Sequence, residues 1–342
     1  MLTFISCAKT MTEKTPSLLP PAPSPLFIEE ARHIALSMTA YTAGELAGML
    51  HVNPQIAART CLQFRTFHDE GATGLPALSA YTGMVFRHIA PQDFTAEDWA
   101  YAQSHLFITS FLYGLLRPAD RIRNYRLEGH VRLPEEEDRT LFAYWRARLT
   151  DTFISAIRQQ GGILVNLASA EMKNLFDWTR VTREVRVITP DFYTYKGGRL
   201  STVVVYAKMC RGEMTRFILK NRIENPEDLK TFEWEGYRFN PRESHDDHWV
   251  FTPGTQPCAR ISRQNPIRPS RVHKKTRPPD SYPTGAPINT FYRDQASRQA
   301  FTVSTRRSNS SGYTSPIFPI RKVSAWEILP GYITKPFAFN SA

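Results

Sequence analysis

The chain has 342 residues, with 43 Lys and Arg against 32 Asp and Glu and a formal net charge of +11. That surplus is uneven: residues 1–253 carry 29 basic and 29 acidic side chains, whereas residues 254–342 carry 14 basic and 3 acidic. The body is long enough to bury a core without staples, no run approaches the ~18 apolar residues of a membrane span, and the four cysteines match no metal-ligand spacing.

The opening MLTFISCAKT has no basic residue before its apolar run, and Lys9 closes that run too early for a secretory signal. A soluble cytoplasmic protein with reduced thiols is therefore expected. Leu2–Ser6 reads as a buried strand, and residues 14–25, with five prolines, as an extended connector. A helix follows at 27–38. Two short helices, 42–50 and 54–67, are broken at His51-Val52-Asn53 with Pro54 at the first helical position. Thr95, followed by Glu97 and Asp98, opens a predicted helix over 95–117. The clearest amphipathic helix is 140–159, ended by Gly161-Gly162.

Strand signals dominate next. Ile163–Leu167 is a continuous apolar run, and Val185–Ile188 and Thr202–Tyr206 are β-branched segments around the turn Lys196-Gly197-Gly198. A helix is predicted at 208–222, then a strand pair at Gly236–Phe239 and Trp249–Phe251. Strands mixed with helices in no regular βαβ order predict an α/β (mixed α+β) body, one compact domain with a central mixed sheet and surrounding helices. Residues 254–342 hold 11 of the 25 prolines and show no periodicity. They read as a disordered basic tail, with Ala325–Ile333 at best a local docking element.

Three sets of residues invite a chemical reading. His51–Ala57 matches the frame of a helix-hairpin-helix turn, G-h-G-x-x-x-A, with His51 and Asn53 in place of the glycines. Such a turn presents backbone N–H groups and a helix N-terminus to a phosphate, and Asn53, Gln55 and Arg59 would make that contact. The alternative is an ordinary αα-hairpin on the core. Arg117–Arg126 is the densest basic stretch of the body, and its guanidinium forks suit phosphate. Arg121, Arg123 and Arg126 are its candidates, with the acidic run Glu135–Asp138 near enough in sequence to offset part of the charge. Lys208 and Arg211 share one helix face, with Arg216 partly turned away. If these basic patches line one cleft, a polyanion fits.

The third set supports a catalytic alternative. Ser6 and Lys9 end one strand, and Asn166 and Ser169 end another. A Ser–Lys pair with Asn166 as oxyanion donor would make a hydrolase or transferase acting on a nucleotide or nucleic acid, although Ser169 also reads as a helix N-cap. His245-Asp246-Asp247-His248 reads as a hairpin tip rather than a metal site. Cys7 and Cys210 read as structural thiols, Cys210 being the better placed for reactivity between Lys208 and Arg211.

Four segments carry a resemblance: ISCAKT (5–10), YGLLRPADRIRNYRLE (113–128), NLASAE (166–171) and YAKMCRGEMTRFILKNRI (206–223). In order and spacing they resemble the YaaA family of bacterial peroxide-stress proteins over about residues 1–253. The family pattern usually has Pro where this chain has Cys7 and Leu-Asp where it has Met11-Thr12, and it does not extend to the basic tail. The resemblance implies a cytoplasmic protein of the hydrogen peroxide response, with a helix-hairpin-helix, DNA binding and a role in limiting iron-driven damage. The combined expectation is a monomer that binds duplex or branched DNA without sequence preference. No cofactor, metal or membrane is expected, and the tail would add non-specific attraction to polyanions.

Overall fold

Eight strands join into one sheet: β1 (Leu2–Ile5), β2 (Leu106–Ser110), β3 (Gly114–Leu116), β4 (Ile163–Asn166), β5 (Arg186–Phe192), β6 (Glu233–Trp234), β7 (Tyr237–Phe239) and β8 (His248–Pro253). Their spatial order is β6-β7-β8-β5-β4-β1-β2-β3. The five strands from β8 to β2 pair in parallel, and the strands at both edges pair antiparallel. The computed structural model describes residues 1–14, 20, 23–69 and 74–254. Expectations for 255–342, including Ala325–Ile333, and for most of the proline-rich connector lie outside the described residues.

The parallel centre follows from composition. Every residue of β1 (LTFI) and β2 (LFITS) is buried, as befits strands covered on both faces. The helices are α1 (Ile28–Met38), α2 (Ala43–Leu50), α3 (Pro54–Arg65), α4 (Ala77–Ala80), α5 (Met84–Ile89), α6 (Ala96–His105), α7 (Leu141–Gln159), α8 (Trp178–Glu184) and α9 (Val204–Asn221). Capping side chains start five of them: Thr42 and Thr95 form capping boxes with Glu45 and Asp98, and Asn53, Thr140 and Asp177 accept from the Ile56, Ala143 and Arg180 N–H groups. The apolar stripe of α7 lies on the sheet, where Phe153 stacks on Phe176 at 4.3 Å and meets Phe4 edge-on at 5.3 Å. Helix α5 rests on α9 at Gly212, where a Cβ would sit 2.4 Å from the Val85 carbonyl oxygen. Only glycine permits that approach.

Two elements differ from expectation. The helix predicted over 95–117 stops at His105, and the chain turns into β2 and β3. Leu106–Ser110 lacks the polar face a surface helix needs, so burial on both sides selects the strand. Gly114, at φ 69°, then reverses the chain beneath Trp145, where a side chain would clash. The strand expected at Thr202–Tyr206 does not form either. The hairpin around Gly197-Gly198 ends at Ser201, and α9 begins at Val204. Val204 and Val205 are 60 % and 52 % exposed; with no neighbouring strand to pack on, β-branching alone does not make a sheet.

Candidate active-site cavity and helical hairpin

Parallel pairing sets Phe4 opposite Asn166 and Ile5 opposite Ile108, so β1, β4 and β2 end side by side. The loops leaving those ends form the floor of a cavity of about 430 Å³. This is where open parallel sheets leave room for a ligand. Ser6 and Ser169 meet there: their Oγ atoms are 3.1 Å apart, and the Ser169 N–H donates to Ser6 Oγ at 2.8 Å. Ser169 holds the N-cap position of the 3₁₀ turn at Ala170–Leu175, yet its hydroxyl caps nothing and faces Ser6 instead.

The opposite wall comes from the start of α5, the segment Tyr125–Glu128 and α9. Four cations line the cavity: Lys9, Arg126, Lys208 and Arg211. Glu128 is buried among them, with Lys9 Nζ at 2.9 Å and Arg126 Nη2 at 3.0 Å from its Oε1. Arg126 also donates to the Lys9 carbonyl at 3.0 Å, which ties the loop after β1 to the opposite wall. Arg211 is held less firmly, 3.7 Å from Asp191, whose other oxygen contacts His248 Nε2 at 2.9 Å. Burial lowers the Arg211 pKa from its ordinary value, and Asp191 opposes that shift. The Nε atoms of Arg126 and Arg211 are buried without a hydrogen-bond partner among the described residues. An unsatisfied donor of this kind costs about 1–3 kcal/mol, and Oε1 of Glu128 is likewise without a hydrogen-bond partner among the described residues.

Beneath the floor, the Tyr125 hydroxyl bonds Ser110 at 2.7 Å and Tyr81 at 2.8 Å. Burial raises both phenols well above the usual tyrosine range, so this chain stays neutral. Cys7 lines the cavity, but burial and then the charges of Glu128 and Glu171 push its thiol up to about 12. Cys210 is also pushed up to about 12, by burial and then Glu213. Its sequence neighbours Lys208 and Arg211 do not offset that shift, and its side chain is fully buried.

The sequence candidates divide sharply. Ser6, Lys9, Ser169, Arg126, Lys208 and Arg211 line the one cavity, uniting residues read separately as catalytic and as DNA-binding. Asn166 lies below it, accepting from the Ala168 N–H and donating to Thr189, so it shapes the turn that carries Ser169. Arg123 donates to the carbonyls of Thr66, Phe67 and Asp69, fastening the segment after α3. Arg121 is exposed on the short ladder with Leu75–Pro76. Arg216 pairs with Asp93 at 2.5 Å, away from the cavity. The acidic run engages His33, Arg132, Arg139 and Arg148 rather than the Arg117–Arg126 stretch. Glu128, Glu171 and Tyr81 were not singled out in the sequence; an isolated carboxylate or phenol carries no spacing signal.

The helical hairpin is built by α2 and α3. His51 adopts the left-handed conformation at φ 50°, whereas Asn53 is extended and its Oδ1 accepts from the Ile56 N–H at 2.9 Å. Gln55 is exposed, and Arg59 pairs with Glu13 at 2.5 Å. Glu13 lies on the loop that carries Lys9, so the hairpin flanks that loop. At 245–248 a β-bridge forms a hairpin tip in which Asp247 pairs with Arg186. Among the described residues, no three His, Cys, Asp or Glu side chains are grouped to hold a metal, and no helix is long and apolar enough to cross a membrane.

Residues 1–243 match the family profile described as peroxide stress protein YaaA. The chain belongs to the YaaA peroxide stress family. A relative from Phocaeicola vulgatus, named only as a UPF0246 protein, is 57 % identical over 252 residues, 74 % of this chain and 99 % of the relative. UPF0246 proteins from Bacteroides fragilis and Porphyromonas gingivalis are 56 % and 43 % identical over 254 residues, each again covered over 99 % of its length. Membership of a YaaA family supports a role in the peroxide stress response. These relatives also show that about 250 residues make a whole protein of this kind, without a counterpart of the basic segment after Gly254.

Proposed function

We propose that the chain serves the peroxide stress response in the cytoplasm, as a monomer, by binding DNA without sequence preference. The DNA backbone lies across the cation-lined mouth of the cavity, with the helical hairpin beside it. The observation that carries this reading is the convergence of Lys9, Arg126, Lys208 and Arg211, from three separate segments, on one cavity of a body whose formal charge is balanced. Charged side chains on phosphates fix position and read no bases, so affinity depends on salt and not on sequence. The 14 basic residues of 254–342 add a salt-sensitive attraction to the same polyanion.

Protection from iron follows from the same contacts. A protein that neutralises phosphates releases the cations condensed on them. Ferrous ions displaced in this way no longer generate radicals at the DNA. The test is plasmid nicking by ferrous iron and hydrogen peroxide. Wild-type protein is expected to slow nicking and Lys208→Glu/Arg211→Glu is not; equal protection by both would refute the assignment.

The Ser–Lys hydrolase or transferase reading has weaker support. The Lys9 ammonium points to Glu128 at 2.9 Å, and a charged lysine on a carboxylate cannot accept the Ser6 proton. Asn166 also faces Thr189 and the 167–169 turn rather than the cavity.

A further inference from the structure

Contact with a phosphate backbone needs only a charged surface, yet the cavity continues inward. Beyond its cations the wall is apolar, formed by Ala8, Met84, Phe86, Leu127, Leu167 and Met172. Its volume of about 430 Å³ lies within the range of small-molecule sites. A phosphate alone fills a minor part of such a space and has no use for thioether and aromatic walls. Besides the cations the polar groups are few: the paired hydroxyls of Ser6 and Ser169, Thr10, and the carboxylates of Glu128, which is buried, and Glu171.

This combination describes a ligand in two parts. One part is flat and largely apolar, with a hydrogen-bonding edge; the other is anionic. Glu128 excludes an anion from its own corner, so the negative part belongs near Lys208 and Arg211. Arg211 is the less firmly paired of the two buried guanidiniums, its nearest carboxylate oxygen being 3.7 Å away. A nucleotide has both parts.

We propose that the cavity binds one nucleotide unit, with its base against Met84, Phe86 and Met172 and its phosphate on Lys208 and Arg211. This deepens the DNA reading and rests on it. On a polymer the base enters by leaving the stack, which costs least where it is already unpaired. The cavity would therefore hold a bubble or a damaged position longer than an intact duplex. The same chemistry would admit a free nucleoside monophosphate, and the two sources are separable.

The full chain is titrated into two short duplexes carrying 2-aminopurine, one in a bubble and one fully paired. Anisotropy of a terminal dye reports binding, 2-aminopurine intensity reports unstacking, and calorimetry with dAMP reports the free nucleotide. Expected is an intensity rise of about threefold or more with the bubble only, reversed by millimolar dAMP, which also weakens the anisotropy change because its phosphate takes Lys208 and Arg211. Ala8→Phe, which fills the cavity, is expected to abolish the rise and the dAMP heat while the anisotropy change persists. A circular dichroism melt confirms that this variant folds. Should it fail to fold, the competition with dAMP, which needs no variant, decides alone. DNA binding with no intensity change and no dAMP heat would overturn the nucleotide site and leave the DNA reading intact. A dAMP heat without any DNA binding would support the site and refute its DNA source. Neither signal would refute both.

Discussion

The helical hairpin and the basic residues that meet at the cavity were both legible as phosphate-binding candidates, and the structure treats them differently. At the hairpin, α3 begins under its own cap: Asn53 takes the Ile56 N–H, and Arg59 is paired with Glu13. The groups that would greet a phosphate are largely engaged, on one short stretch of chain. In the cavity, cations from three segments surround one volume, and two buried guanidinium nitrogens have no partner among the described residues. A binding site is better recognised by what the fold leaves unsatisfied than by the density of basic residues. Arg123 makes the same point, since it sits in the most basic stretch of the body and holds three carbonyls of its own chain.

Four experiments press on that contrast. Charge reversal at Lys208→Glu/Arg211→Glu is expected to weaken DNA binding about 100-fold at ~0.1 M salt, through lost contacts and added repulsion; a change under about threefold would move the binding site elsewhere. Gly212→Val comes next, because its side chain would drive α5 from α9 and open the cavity wall. Overpacking of this kind costs about 1–3 kcal/mol, measurable by urea denaturation, and DNA affinity should fall with it.

The third experiment probes the thiols. Burial leads the shifts that push Cys7 and Cys210 up to about 12, so the folded protein holds almost no thiolate at pH 8. Site-resolved mass spectrometry should find both residues resistant to iodoacetamide until the chain is unfolded. The sign of the linkage also follows. A folded pKa above the unfolded one stabilises the protein below the unfolded value, and that contribution fades as pH rises toward 12. Rapid alkylation of Cys7 in the native state would show the cavity floor to be more open than described. The smallest effect belongs to the hairpin: Asn53→Ala removes a cap worth about 1 kcal/mol of stability, while DNA affinity is expected to stay within about twofold. A tenfold loss of affinity would reverse the ranking of the two regions.

Much of this was written locally in the chain. The cap at Thr95, Pro54 at the first position of α3, the apolar spacing of α7 and the buried runs of β1 and β4 are short-range signals, and they read correctly. Leu106–Leu116 did not, because choosing strand over helix there depends on β1 lying alongside. Thr202–Tyr206 failed in the opposite sense, as β-branched residues with no partner strand. The site was half legible. Ser6, Lys9, Ser169, Arg126, Lys208 and Arg211 could each be picked out, but as two rival chemistries, since their meeting is a property of strand order. Glu128 was invisible because its importance comes from the two cations that fold onto it.

The central claim is that the cavity's cations, and neither the hairpin nor the charge of the tail, anchor DNA. The direct test is the dependence of Kd on salt for residues 1–254 and for the full chain, each as wild type and as Lys208→Gln/Arg211→Gln. Removal of two phosphate contacts should reduce the slope of log Kd against log salt by about two in both lengths. An unchanged slope, or binding that disappears when residues 255–342 are removed, would contradict it.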